Sequence, residues 1–196
     1  MDNQSLIIAV VVVLALAAVA VWLWSRREQS KRLEQRFGPE YRHAVERHGD
    51  VAKAEAELRD RERRVEKLNI VPLAPADAQH FADGWRTLQA RFVDNPQGVV
   101  GEADQLVREL MLRRGYPMGD FDRRAADISV DHPHVVEHYR AAQAIALRDR
   151  RGEADTEALR QAVVHYRALF DELLQVSPLP AREAAGRESQ KHMEVH

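Results

Sequence analysis

The rhythm of apolar and polar positions changes twice along the chain. From Leu6 to Trp24 it reads LIIAVVVVLALAAVAVWLW, with no charged, polar, Gly or Pro residue. As an α-helix rising about 1.5 Å per residue this stretch is roughly 28 Å long, near the hydrocarbon thickness of a bilayer. The run predicts a membrane-spanning helix over 6–24. A polar, helix-prone stretch then leads to Phe37-Gly38-Pro39, where Gly38 suits a helix end and Pro39 the first turn of the next helix. A short helix follows to about His48, and Asp50 is placed to cap another. In that helix Val51, Ala54, Leu58, Val65 and Leu68 form a heptad-like stripe, with Arg61 standing where a further apolar residue belongs. The stripe is shorter than the three or four heptads that define a coiled coil.

Beyond the prolines of Asn69–Pro75 the periodicity becomes strongly helical, and Ile70, Val71 and Leu73 are expected to dock on the core. Phe81, Trp85, Leu88 and Phe92 make one buried face. Val99, Ala103, Leu106, Leu110 and Met111 make the next, started by Asn95-Pro96 and closed by Gly115. Asp120 caps a short helix through Ala126. A longer helix is predicted from Asp131-His132-Pro133, with Val135, Tyr139, Ala142 and Ala146 inward. The last begins near Asp155 or Thr156 and turns Leu159, Val163, Tyr166, Phe170 and Leu173 to the core. No alternating strand pattern and no hairpin signal occurs, and no internal repeat of tetratricopeptide type is present. The predicted fold is all-α: one N-terminal transmembrane helix, charged juxtamembrane helices and an irregular helical bundle. The expected divisions are 1–5 short extracytoplasmic N-terminus, 6–24 transmembrane helix, 25–69 charged helical stalk, 70–175 bundle and 176–196 disordered tail.

Charge placement gives the expected topology. Every Lys and Arg lies after Ser25, beginning with Arg26, Arg27, Lys31, Arg32 and Arg36. Basic residues near a span stay on the cytoplasmic side. The expectation is a bacterial inner-membrane protein with its N-terminus outside and its body in the cytoplasm. A cleaved signal peptide fits less well, since the residues before the run include Asp2 and no base, and the apolar core is long. The whole chain has net charge −2 with acids and bases interleaved, so no basic face points to nucleic acid. The absence of cysteine rules out disulfides, thiol nucleophiles and Cys-ligated metals.

The segment FDRRAADISVDHPHVVEHY (Phe121–Tyr139) carries the densest functional side chains. His134, Glu137 and His138 match the H-x-x-E-H spacing that places two imidazoles one helical turn apart on a metal, with the Glu as base. The pattern is weak in a chain of nine histidines, and surface histidines are the simpler expectation. Asp131-His132-Pro133 is more simply a helix start than an acid–base pair. Asp127 or Asp131 could pair with Arg123, Arg124 or Arg140. Trp85, Tyr139 and Tyr166 at helical spacing point to core rather than to a ligand box. No phosphate loop or nucleophile elbow occurs; Gly98 and Gly101 lie within a helical pattern without a preceding strand. No catalytic, cofactor-binding or metal residue and no cofactor is assigned.

Several segments carry a resemblance. They are RFGPEY (Arg36–Tyr41), AEAELRDRERRVEKL, FADGWRTLQARFVDNP, LRRGYPMGDFDRRAADISVDHPHVVEHYRAA and TEALRQAVVHYRALFDELL. Over about Arg36 to Leu174 the chain resembles an uncharacterised bacterial family whose members carry one N-terminal membrane segment and a helical body. The resemblance implies no activity, cofactor or catalytic residue. The functional expectation is a non-enzymatic, membrane-anchored interaction or scaffold module. Its partners would be lipid through the anchor and a protein of unknown identity, with the oligomeric state open. The alternative is a metal-dependent hydrolase using His134, Glu137 and His138. A third is a sensor of anionic headgroups through Arg26, Arg27, Lys31 and Arg32.

Overall fold

A computed structural model describes the backbone from Asn3 to Gln175, and the side chains from Val11 onward except Ala15. The expected tail at 176–196 lies outside the described residues. Among the described residues the chain is all-α, with eight helices: α1 (Asn3–Phe37), α2 (Pro39–His48), α3 (Val51–Val65), α4 (Pro75–Ala90), α5 (Pro96–Arg113), α6 (Phe121–Asp131), α7 (Val136–Asp149) and α8 (Thr156–Leu173). Two compact units are formed. Among the described residues the first contains the chain up to Lys67 together with Ala125–Glu137; the second contains Leu68–Arg124 and the described chain from His138 on.

The membrane span expected at 6–24 is corrected. Among the described residues no helix is long and apolar enough to cross a membrane. Within α1 the apolar residues end at Trp24, and Arg26, Arg27 and Glu28 follow in the same helix. With the span go the transmembrane part of the predicted fold and the placement at a bacterial inner membrane with the N-terminus outside and the body cytoplasmic.

In the first unit α1 packs on α2 and α3, and α2 on α3. Leu33 and Phe37 of α1, Ala44 of α2, and Ala54, Leu58 and Val65 of α3 are buried. The stripe read on α3 is present except at its ends, where Val51 is exposed and Leu68 lies beyond the helix. Local chemistry sets the breaks. Gly49 takes the left-handed conformation (φ 64°) that closes α2, and the Asp50 carboxylate accepts the Lys53 backbone N–H at 2.8 Å to open α3.

In the second unit α5 packs on both α4 and α8. Trp85 stacks on Phe170 with ring centres 4.6 Å apart, and Leu88, Val99, Ala103, Val107, Leu110, Met111, Leu159, Tyr166 and Leu169 fill the same core. Asn95 and Asp155 cap α5 and α8 by accepting the backbone N–H of Gly98 (3.0 Å) and Ala158 (2.7 Å). Phe92, expected on the buried face of α4, lies past its end in a turn and is half-buried. Of the loop residues expected to dock, Leu73 is buried and Val71 is exposed.

The junction of α6 and α7 differs from the sequence reading. α6 runs on to Asp131, and the His132 N–H closes it by donating to the Ile128 carbonyl at 2.8 Å. Pro133 therefore lies in a turn, α7 starts only at Val136, and Asp131 is the last residue of α6. The inward positions of α7 are Val136, Tyr139 and Ala142; Val135 and Ala146 are half-buried.

Gly115 is the tightest backbone position. Its φ is +96°, and a Cβ there would stand 2.3 Å from the Asn69 carbonyl oxygen. The close approach lets the Val71 N–H donate to the Arg114 carbonyl at 2.9 Å, tying the proline loop to the end of α5. Gly115→Ala is expected to destabilise the chain by about 1–3 kcal/mol through strain and collision. Urea unfolding checks this, and an unchanged midpoint would contradict it.

Candidate functional site

Buried polar groups of the first unit are organised around Arg61. Its guanidinium and the Glu40 carboxylate are each 1% exposed. Nη1 donates to Glu40 Oε2 and to Ser129 Oγ, each at 3.0 Å, while Nε and Nη2 donate to Glu57 Oε1 at 3.0 and 2.7 Å. Ser129 Oγ passes the chain on to the Ala126 carbonyl at 2.7 Å. Arg64 Nε donates to the fully buried Asp127 at 2.8 Å, so α3 supplies a partner for this carboxylate. Arg36 of α1 meets Glu62 at 3.1 Å, and the Tyr41 hydroxyl donates to Glu55 at 3.1 Å. Burial of Tyr41, with Glu55 beside it, raises its pKa to about 12.

Glu57 gathers Arg47, His48 and Arg61 on one carboxylate. Partial burial would raise its pKa, but the hydrogen bonds from Arg47, Arg61 and His48 outweigh it and bring the value down from 4.5 to about 2.

On the same unit α1 carries a long apolar surface. From Val11 to Trp24 its large apolar side chains are 47–69% exposed. The Arg26 guanidinium lies over the Trp22 ring, 5.4 Å from its centre, at the point where apolar surface gives way to charge. The helix is apolar on all sides here, not on one stripe, a pattern that in folded assemblies belongs to a surrounded helix.

Tyr139 and Tyr166 organise the polar part of the second unit. Both are buried, with ring centres 6.3 Å apart, and Phe121 packs against Tyr139 at 4.7 Å. Arg124 Nε donates to the Tyr139 hydroxyl at 3.0 Å, and its Nη1 donates to the Gly119 carbonyl at 2.6 Å. The Tyr166 hydroxyl donates to Asp104 Oδ1 at 3.3 Å, and Asp104 Oδ2 meets Arg108 Nε at 3.2 Å. Burial pushes the pKa of both tyrosines up, so both keep their protons. Trp85, Tyr139 and Tyr166 are thus core residues, and Arg124 and Asp104, which bond the two tyrosine hydroxyls, line a polar cleft of about 340 Å³ between α5, the start of α6 and α7.

His134, Glu137 and His138 do not adopt the arrangement their spacing suggested. The H-x-x-E-H geometry needs one continuous helix, but His134 lies in the turn before α7. Among the described residues no group of three or more His, Cys, Asp or Glu side chains could hold a metal ion. His138 instead faces His165 of α8, with Nδ1 atoms 3.0 Å apart and ring centres 5.2 Å apart. Burial and the neighbouring His138 hold the His165 pKa below 6.5. His165 gave no signal in the sequence, because its partner is 27 residues away on another helix.

The chain matches no family model, no curated protein and no solved structure. The bacterial assignment carried by the resemblance therefore finds no support there.

Two pH effects follow from this geometry. Because the Glu57 pKa is lowered on folding, the unfolded chain takes up that proton first. Its contribution to stability is complete above about pH 4.5 and is lost as the pH falls towards about 2. Glu57→Gln is expected to flatten the acid-denaturation curve in that window; an unaltered curve would count against the Arg47–Glu57–Arg61 cluster. For the second effect, proton NMR should show His165 titrating below 6.5 and moving upward, short of its free value, in His138→Ala. A His165 titration that does not respond to His138→Ala contradicts the pairing.

Proposed function

We propose that the chain is a non-enzymatic interaction module that docks through α1. The observation that supports this reading is the exposed apolar surface from Val11 to Trp24, carried on a helix whose other end is fixed in a charged, buried network. Contiguous apolar surface of this extent marks an association site. Its apolar character on every side calls for an occupant that surrounds it, which helices of a protein partner do and a flat surface patch does not. The Arg36–Glu62 ion pair and the buried Leu33 and Phe37 hold α1 in place before a partner arrives, which lowers the ordering cost of association.

A photo-crosslinking residue placed at Val13 or at Trp22 of the full chain tests the reading, with one at the exposed Val164 of α8 as control. Protein adducts at Val13 and Trp22 and none at Val164 are expected. Adducts of the chain's own mass would identify a second copy as the partner, and other masses a different protein. No protein adduct at Val13 or Trp22 would overturn the proposal.

A further inference from the structure

The cleft of the second unit has the chemistry of a ligand site, and this conclusion does not depend on the reading of α1. Three guanidiniums line it, from Arg108 of α5, Arg124 of α6 and Arg150 just beyond α7. The two carboxylates are Asp104 and Asp149. The Asp104 oxygens are committed to the Tyr166 hydroxyl and to Arg108, and Asp149 Oδ1 accepts from Gln97 at 3.2 Å. The cleft thus holds one more positive than negative group.

The arginines differ in how they are held. Arg124 is nine-tenths buried and fixed by Tyr139 and Gly119 through Nε and Nη1. Arg108 is oriented by Asp104 through Nε. Arg150 is exposed and makes no hydrogen bond or ion pair with a described side chain. A preorganised guanidinium with a second and an exposed third on the same cleft is an arrangement that recognises an oxyanion through paired N–H donors. Phe121, tilted on Tyr139, supplies an apolar wall for the body that carries the anion. The volume of about 340 Å³ is at the small end of the range for ligand pockets.

Gly101 explains why space remains. It lies within α5 on the cleft wall, and a Cβ built there meets nothing within 4 Å. Glycine inside a helix costs about 1 kcal/mol relative to alanine, and here no backbone conformation or close contact requires it. Its effect is to leave the cleft open.

We propose that this cleft binds a small organic oxyanion, a carboxylate or a phosphate monoester, clamped by Arg108, Arg124 and Arg150 with its body against Phe121. The two anions share the guanidinium chemistry, and the choice of probes separates them.

The test uses the full chain, titrated by calorimetry with benzoate, phenyl phosphate and the neutral benzamide. At least one of the two anions is expected to bind about tenfold or more tightly than benzamide, and the tighter anion identifies the ligand class. Gly101→Leu fills the cleft without straining the helix. It should abolish binding while the thermal midpoint stays the same or rises, which separates loss of the site from loss of the fold. Arg150→Ala, at an exposed position, should weaken anion binding about tenfold and leave benzamide unaffected. The proposal is overturned if neither anion binds, if benzamide binds as well as the anions, or if Gly101→Leu or Arg150→Ala leaves anion affinity unchanged.

Discussion

The first unit depends on one buried ion pair. Arg61 and Glu40 are removed from water, and desolvating two charges is costly unless their remaining donors and acceptors are satisfied. Arg61 meets that condition by donating to Glu40, Glu57 and Ser129 together. The three acceptors come from α2, α3 and α6, so a single side chain fixes three helices with directional bonds where a leucine would only fill volume. Removing one partner of such a pair typically costs about 3–5 kcal/mol, mostly because a charge is left buried without compensation. The stack of charges around it (Arg64–Asp127, Arg36–Glu62, Glu57 with Arg47 and His48) follows the same logic at decreasing burial.

The second unit uses a different cement. Its core is aromatic and aliphatic, built on the Trp85–Phe170 stack, and polar groups enter where the buried Tyr139 and Tyr166 need hydrogen-bond partners. Satisfying those hydroxyls positions Arg124 and Asp104, and Asp104 in turn orients Arg108. The cleft is therefore a by-product of core chemistry: the groups that quiet the tyrosines also present positive charge to open space.

How far the sequence foretold these arrangements varies with the burial of polar residues. Helices with apolar faces were legible: α4, α5 and α8 follow from Phe81 and Trp85, from Val99 to Met111, and from Leu159 to Leu173. α6 was cut short because its buried face includes Arg124, Asp127 and Ser129, which read as surface. Pro133 then looked like the start of α7, although the backbone bond from His132 to Ile128 had already extended α6 past it. Arg61 stood out as an anomaly in an apolar stripe, but its partners Glu40 and Ser129 lie 21 and 68 residues away and no local rule links them. The cleft was invisible for the same reason, since Arg108, Arg124 and Arg150 meet only through helix packing. At the N-terminus composition misled in the opposite sense: the run of apolar residues read as a span, and the helix that contains it continues directly into Arg26, Arg27 and Glu28.

That continuity gives α1 a mechanical property. The helix extends from Asn3 to Phe37 with no glycine or proline inside it, and Leu33 and Phe37 are locked in the first unit. Side chains advance about 100° per residue around an α-helix, so the azimuth of Trp22 is geared to that of Phe37. Whatever grips the far end can turn only if the near end turns with it. The helix is a driveshaft, and inserting or deleting one residue between Ser25 and Leu33 would mistime the two ends by more than a quarter of a revolution.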